Sequence, residues 1–161
     1  MFFELLFRKL QEKKVDYMVV GGVALVLQGA IRMTADLDLM VALDEHNLTE
    51  FVDVMNEMGF KPKAPVPSEA FISAVNRESW IQDKGMMVFS FYHPGEMVSL
   101  VDVFVNEPIP YSEMSKRRDI KLIDDFSIPV ASIPDLIKLK QIAGRPQDIE
   151  DIKALEALSN G

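Results

Sequence analysis

Apolar positions recur along the chain with two different periods, and those periods delimit its elements. Phe3, Leu6, Phe7 and Leu10 fall at helical spacing, which predicts a helix over residues 2–13 with one apolar face. Val15 to Val20 reads as a first strand, broken by Gly21-Gly22, and a short apolar helix then ends near Gly29. A period of two takes over next: Leu37 and Leu39 point one way, Asp36 and Asp38 the other, so a second strand runs to Val41. Leu48, Phe51, Val52 and Met55 mark one face of a helix stopped at Gly59. The prolines of residues 61–67 exclude regular helix or central strand and predict a loop.

Residues 68–82 read as a further helix with Phe71, Val75 and Trp80 turned inward, the indole as a core side chain. Met86–Tyr92 and Ser99–Val105 form a hairpin about His93-Pro94-Gly95, and a short helix covers Ser112–Arg118. Asp124-Asp125 turns a second small hairpin between Ile120–Ile123 and Phe126–Val130. Ser132, with Pro134 in the first turn, starts a helix that stops at Gly144. A last helix, 147–158, directs Ile149, Ile152 and Leu155 inward. Strands alternating with helices favour an α/β or α+β sheet with helices on one side.

Composition narrows this picture. The 161 residues suffice for one domain with its own core, and 48% hydrophobic content marks a globular chain. No apolar run is long enough to span a bilayer, and the charged N-terminal segment reads as an amphipathic helix rather than a signal peptide. The absence of Cys excludes disulfide and thiol chemistry and fits a cytoplasmic protein, while two His make a zinc site a poor fit. A net charge of −8 argues against a broad nucleic-acid-binding surface but not against RNA as an acceptor. Lys116-Arg117-Arg118 reads as a solvated helix end.

The chemistry concentrates in residues 17–41. Gly21 and Gly22 let the backbone approach a ligand closely, and the following helix start offers free N–H groups to a phosphate. Asp36 and Asp38 set two carboxylates side by side, an arrangement that suits a hard cation such as Mg²⁺ bridging nucleotide phosphates. Asp102 lies in the middle of a Val- and Phe-rich strand, where a charge is costly without a partner. Lys140 precedes Gly144 by one turn, and Asp148 and Asp151 share a face of the last helix across a Gly-Arg-Pro corner.

Gly21-Gly22 followed by Arg32, Thr34, Asp36 and Asp38 resembles the signature of the polymerase-β-type nucleotidyltransferase superfamily. Within it the nearest likeness is to AbiEii-like and minimal bacterial nucleotidyltransferases. The resemblance implies an α+β nucleotidyltransferase fold, a mixed sheet flanked by helices with a C-terminal helical pair. It implies a single domain over 1–161, with a core at 15–106 and a hairpin-plus-helix segment at 111–159. It also implies transfer of a nucleoside monophosphate from an NTP, with Asp36, Asp38 and Asp102 as catalytic Mg²⁺ ligands. Gly21, Gly22, Arg32, Thr34, Lys140, Asp148 and Asp151 would bind the nucleotide. The C-terminal residues resemble the Lys and R-x-K-D-x-x-D elements of the AbiEii-like enzymes, departing at Gln147. The acceptor would be RNA or a protein in a toxin–antitoxin setting, with a small antibiotic-type molecule as the alternative. A second copy or a cognate antitoxin would complete the acceptor site, and no membrane is involved. A binding module without catalysis is the third reading.

Overall fold

The structure, a computed structural model, describes residues 3–160. Among them, seven strands form one mixed sheet in the order β3-β4-β5-β2-β1-β7-β6. The chain begins with α1 (Glu4–Glu12), whose Leu6, Phe7 and Leu10 are fully buried, as their spacing predicts. Each such side chain contributes roughly 1.5–3 kcal/mol of burial. Residue 2 of the predicted helix lies outside the described residues. β1 (Tyr17–Val20) is buried throughout and passes straight into α2 (Gly21–Leu27). The glycine pair is therefore the first turn of the helix itself, not a separate turn before it.

β2 (Leu37–Val41) pairs antiparallel with β1, Val20 opposite Asp38. Leu37 and Leu39 are fully buried, as alternation demands. Asp36 sits one residue before this strand rather than on it. α3 (Glu45–Glu57) is capped by the Asp44 side chain, which accepts from the Asn47 N–H at 2.9 Å. Beyond it the proline-rich segment contributes a two-residue edge strand, β3 (Lys61–Pro62), as prolines at an edge permit.

The predicted helix over 68–82 is two pieces. A 3₁₀ turn (Ser68–Ile72) ends at an extended Ser73, whose hydroxyl then caps α4 (Ala74–Lys84). The break rotates the second piece, so Phe71 is buried while Val75 faces solvent. Trp80 stacks on Phe89 at 5.1 Å between ring centroids, a structural aromatic contact.

β4 (Val88–His93) and β5 (Glu96–Phe104) form the expected hairpin, and β5 lies parallel to β2. α5 (Tyr111–Arg117), β6 (Asp119–Ile123) and β7 (Phe126–Val130) follow, with β7 parallel to β1. Two residues of the basic cluster at the end of α5 form ion pairs, Arg117 with Asp135 and Arg118 with Asp16, each at 3.0 Å, while Lys116 is exposed. α6 (Ile133–Ala143) starts at a Ser132 cap and ends at a left-handed Gly144. α7 (Pro146–Asn160) closes the chain against α6. Its inward face is shifted from the predicted one: Asp148, Asp151 and Leu155 are buried and Ile149 is exposed.

No described helix is long and apolar enough to cross a membrane. One face of the sheet is sealed: Leu39, Val101, Val103, Phe89 and Phe91 are buried there, with Phe51 and Phe71 packed on the phenylalanines. The other face carries the chemistry.

Candidate active site

Strand register sets a row of residues straight across the second face. Val20 on β1 faces Asp38 on β2, Asp38 faces Asp102 on β5, and Asp102 faces Ser90 on β4. Adjacent strands lie about 4.8 Å apart, so the two carboxylates are immediate neighbours. Val20 leads into Gly21, and this places the glycine pair beside the acidic pair.

Gly21 has φ of +68° and lies directly against Asp38; a Cβ there would run into the Asp38 carboxylate. A side chain at Gly22 would meet Arg32 Nη1 at 2.5 Å and Thr34 Oγ1 at 2.7 Å. Both glycines are therefore required by close approach. α2 has only seven residues, so its dipole adds little, and the contribution of the pair is steric.

The three carboxylates differ in their partners. Asp36 Oδ1 accepts the Leu100 N–H at 2.9 Å, which ties the segment before β2 to β5. Asp102 Oδ1 accepts from the Ser90 hydroxyl at 2.6 Å. The Asp38 carboxylate has no hydrogen bond among the described residues. Burial, then the charges of Asp102 and Asp36, push its carboxyl up to about 7, against the weaker pull of Lys140 and Arg145. Burial raises Asp102 as well, opposed by the Ser90 bond. Asp36 and Asp102 each keep one oxygen uncommitted. Among the described residues no group of three or more acidic or imidazole side chains is placed to hold a metal ion, so the pair Asp38–Asp102 and not the trio is the arrangement to consider. The acidic trio shares one end of the sheet, with Asp36 and Asp102 each tied by its own hydrogen bond and the Asp38 carboxylate, among the described residues, by none.

The C-terminal corner is built differently. Lys140 is 8% exposed, and its Nζ lies 3.3 Å from Asp148 Oδ1 and 2.8 Å from Asp151 Oδ2. Arg32 Nε reaches Asp151 Oδ1 at 3.2 Å, which links the glycine turn to α7. Arg145 holds Asp148 through its backbone N–H at 2.9 Å and its guanidinium at 3.0 and 3.2 Å. Burial would raise the Asp148 carboxyl, but the bonds from Arg145 and Lys140 outweigh it and hold the group down at about 2. Lys140 is nearly closed off from solvent, and both of its ion-pair partners are carboxylates. Thr34 is exposed and donates to the Asp36 carbonyl at 3.3 Å, bracing the segment before β2.

Three residues of this region escape sequence reasoning. Ser90 is visible only once β4 and β5 are in register. Arg145 is visible in the Gly-Arg-Pro corner, but its bidentate grip on Asp148 depends on how the corner folds. Lys63 pulls on the Asp102 carboxyl from the edge of the sheet, and no local pattern announces it. Two concavities at the other end of β1, about 320 and 530 Å³, contain Asp16 but none of the residues above.

Residues 3–160 match a family described as "Nucleotidyltransferase of unknown function (DUF6036)", and the chain belongs to that family. The fold agrees with solved nucleotidyltransferases. The lincosamide antibiotic adenylyltransferase LnuA, bound to lincomycin, is 16% identical with a TM-score of 0.61, covering 98% of this chain and 95% of that one. A putative nucleotidyltransferase from Thermotoga maritima is 16% identical with a TM-score of 0.60, covering 99% and 92%. ANT(2'')-Ia in complex with adenylyl-2''-tobramycin is 15% identical with a TM-score of 0.56, covering 96% and 84%. At these identities the likeness establishes the fold. No curated protein matches the sequence.

Proposed function

From that family membership, we propose that the chain transfers a nucleoside monophosphate from an NTP to a hydroxyl or phosphate acceptor by Mg²⁺-dependent in-line displacement. The observation that carries this is the Asp38–Asp102 pair, register neighbours on adjoining strands, with Gly21 pressed against it. The donor set fits the ion: hard carboxylate oxygens, with Asp38 uncommitted and one oxygen free on Asp36 and on Asp102. Bound there, Mg²⁺ supplies charge neutralisation for the entering and leaving oxygens.

The remaining work falls to the chain's own groups. Gly21 and Gly22 admit the triphosphate close to the backbone. Arg32 and the half-exposed Arg145 present positive charge beside it, and Lys140, Asp148 and Asp151 hold those two arginines in place. The acceptor oxygen bonds to the α-phosphorus as the bond to pyrophosphate breaks, and the acceptor proton passes to Asp102.

Two acceptor readings have support. Resemblance of the Lys140–Asp151 segment to AbiEii-like enzymes favours RNA or a protein, in a toxin–antitoxin pairing and with a partner chain completing the site. Fold likeness to antibiotic adenylyltransferases favours a small hydroxylated molecule. The founding test uses each NTP labelled at the α-phosphate, with Mg²⁺ or with a chelator. NTP with Mg²⁺ raises the melting temperature, as a ligand of the folded state must, and the chelator removes most of that rise. Asp38→Asn lowers transfer roughly a thousandfold, the scale of several kcal/mol of lost charge stabilisation. A parent protein whose melt ignores every NTP with Mg²⁺ would end the transferase reading.

A further inference from the structure

The sheet face that bears the acidic pair continues past it, away from the glycine turn, over β5, β4 and β3. Here it is not sealed. Val88, Ser90, Tyr92, Leu100 and Phe104 are all only partly buried, whereas Phe89, Phe91, Val101 and Val103 on the opposite face are fully covered. The nucleotide-side groups Gly21, Gly22, Arg32 and Arg145 lie on the β1 side of Asp38. Whatever receives the nucleotide must approach Asp102 from the β4 side.

This open face has a charge order of its own. Lys61 pairs with Tyr92 in the β3–β4 ladder and so shares its face. Two residues on, the Lys63 N–H donates to the Ser90 carbonyl at 2.9 Å, continuing that register and setting Lys63 opposite Ser90. The row through the acidic pair therefore runs Asp38, Asp102, Ser90, Lys63. Lys61 and Lys63 are exposed, and neither makes an ion pair among the described residues. Between lysines and carboxylates lie the Tyr92 ring and the Leu100 side chain. In a chain of net charge −8, a cationic edge facing the acidic pair across an apolar floor is a local reversal of sign.

Resting on the nucleotidyl-transfer reading, we infer that this face binds the acceptor, and that the acceptor is a phosphorylated hydroxyl compound. Its hydroxyl lies at Asp102, its body on Tyr92 and Leu100, and its phosphate at Lys61 and Lys63. Two strand spacings separate Asp102 from Lys63, so hydroxyl and phosphate are up to roughly 10 Å apart. Two adjacent ammonium groups suit a phosphate and repel a polycation, so an amino-sugar acceptor is disfavoured here. A free sugar phosphate and the 3′ end of a single strand of RNA share this chemistry, the latter adding a base to stack on Tyr92.

The experiment is an NMR titration of the full chain, its nucleotide site saturated with Mg²⁺ and a non-hydrolysable NTP analogue. The amide signal of Gly22 reports nucleotide binding, and those of Lys63, Ser90 and Tyr92 report the open face. Ribose 5-phosphate, ribose, a short single-stranded RNA and tobramycin are added separately. At least one phosphorylated probe shifts the open-face signals saturably while ribose and tobramycin do not. Lys61→Glu with Lys63→Glu weakens that binding by about tenfold or more, with the Gly22 response retained. A response to RNA alone identifies a nucleic-acid end, and a response to ribose 5-phosphate identifies a small phosphorylated acceptor. Equal binding of ribose, binding of tobramycin, no saturable shift from either phosphorylated probe, or indifference to the double charge reversal overturns the inference. A silent Gly22 signal instead overturns nucleotide binding, so the two failures are distinct.

Discussion

Two groups of aspartates stand at this site, and the fold treats them in opposite ways. Asp148 is 1% exposed, deeper than Asp38, yet its carboxyl is held at about 2 whereas that of Asp38 is pushed up to about 7. Burial raises both groups, so depth alone does not set the difference. Asp148 has Arg145 and Lys140 as partners, and Asp151 has Arg32 and Lys140. Asp38 faces Asp102 with Asp36 close by, and among the described residues it has no ion-pair partner, only the weaker pull of Lys140 and Arg145. A buried carboxylate with its own cation is complete and can serve as framework. One whose stronger charged influences are like charges is stabilised by a cation from outside, and that is the property the proposed metal–nucleotide site would require.

The largest expected effect breaks the paired group. Lys140→Met removes the cation shared by Asp148 and Asp151 and leaves both carboxylates short of charge in a nearly closed environment. Truncating one partner of a buried ion pair costs about 3–5 kcal/mol, and the retained arginines place this case near the lower end. Urea denaturation reads it directly. An unchanged midpoint would show that the corner does not depend on Lys140, which would then be available to a ligand.

Next comes the contact between glycine and aspartate. Gly21→Ala forces a Cβ into the Asp38 carboxylate and holds alanine at φ of +68°, together costing roughly 2–3 kcal/mol. Gly22→Ala is milder, because its Cβ meets the end of the flexible Arg32 side chain and the Thr34 hydroxyl. It should disturb the Arg32–Asp151 link more than the fold. Thermal melts of the two variants, with and without Mg²⁺–NTP, give the order. A Gly22 variant less stable than the Gly21 variant would show that the acidic side of the turn is the more forgiving one.

Much of this layout is legible in the chain itself, and the parts that are not share a cause. Alternation about Leu37 and Leu39 fixes which way Asp38 faces, and a charge inside Val101–Val105 marks Asp102 as needing a partner. Those are local signals of period and polarity. Apolar spacing predicts Ile149, Ile152 and Leu155 as the buried face of α7; Leu155 is buried, but Ile149 is exposed and Asp148 and Asp151 turn inward because Lys140, Arg32 and Arg145 come from elsewhere to neutralise them. Val75 is misplaced for a related reason: the helix breaks at Ser73, where a hydroxyl cap restarts it in a new direction. Ser90 and Lys63 acquire meaning only from strand pairing. Pairwise chemistry across the fold is invisible to any reading along one segment.

The smallest effect is the most diagnostic, because it has a sign. The Asp38 carboxyl rises from an ordinary value near 4 to about 7 on folding, so between these pH values the folded chain holds a proton that the unfolded chain has lost. Stability must therefore fall as pH rises through this window, and the cost is complete above it. Asn cannot ionise. Asp38→Asn should match the parent below pH ~4 and gain stability through pH ~7, reaching on the order of 1–2 kcal/mol at pH ~8 once partial exposure is allowed for. Asp148 behaves in the reverse sense: its stabilisation is present above pH ~4 and is lost as pH falls toward ~2, so Asp148→Asn is destabilised at neutral pH and approaches the parent in acid. Denaturation midpoints of the three proteins across this range should diverge in opposite directions as pH rises. Mg²⁺ should erase the advantage of Asp38→Asn, since only the parent retains the charge that holds the ion. If Asp38→Asn instead loses stability at pH ~8, as Asp148→Asn does, the two groups of carboxylates are one kind of framework and Asp38 has no unmet charge to offer a cation.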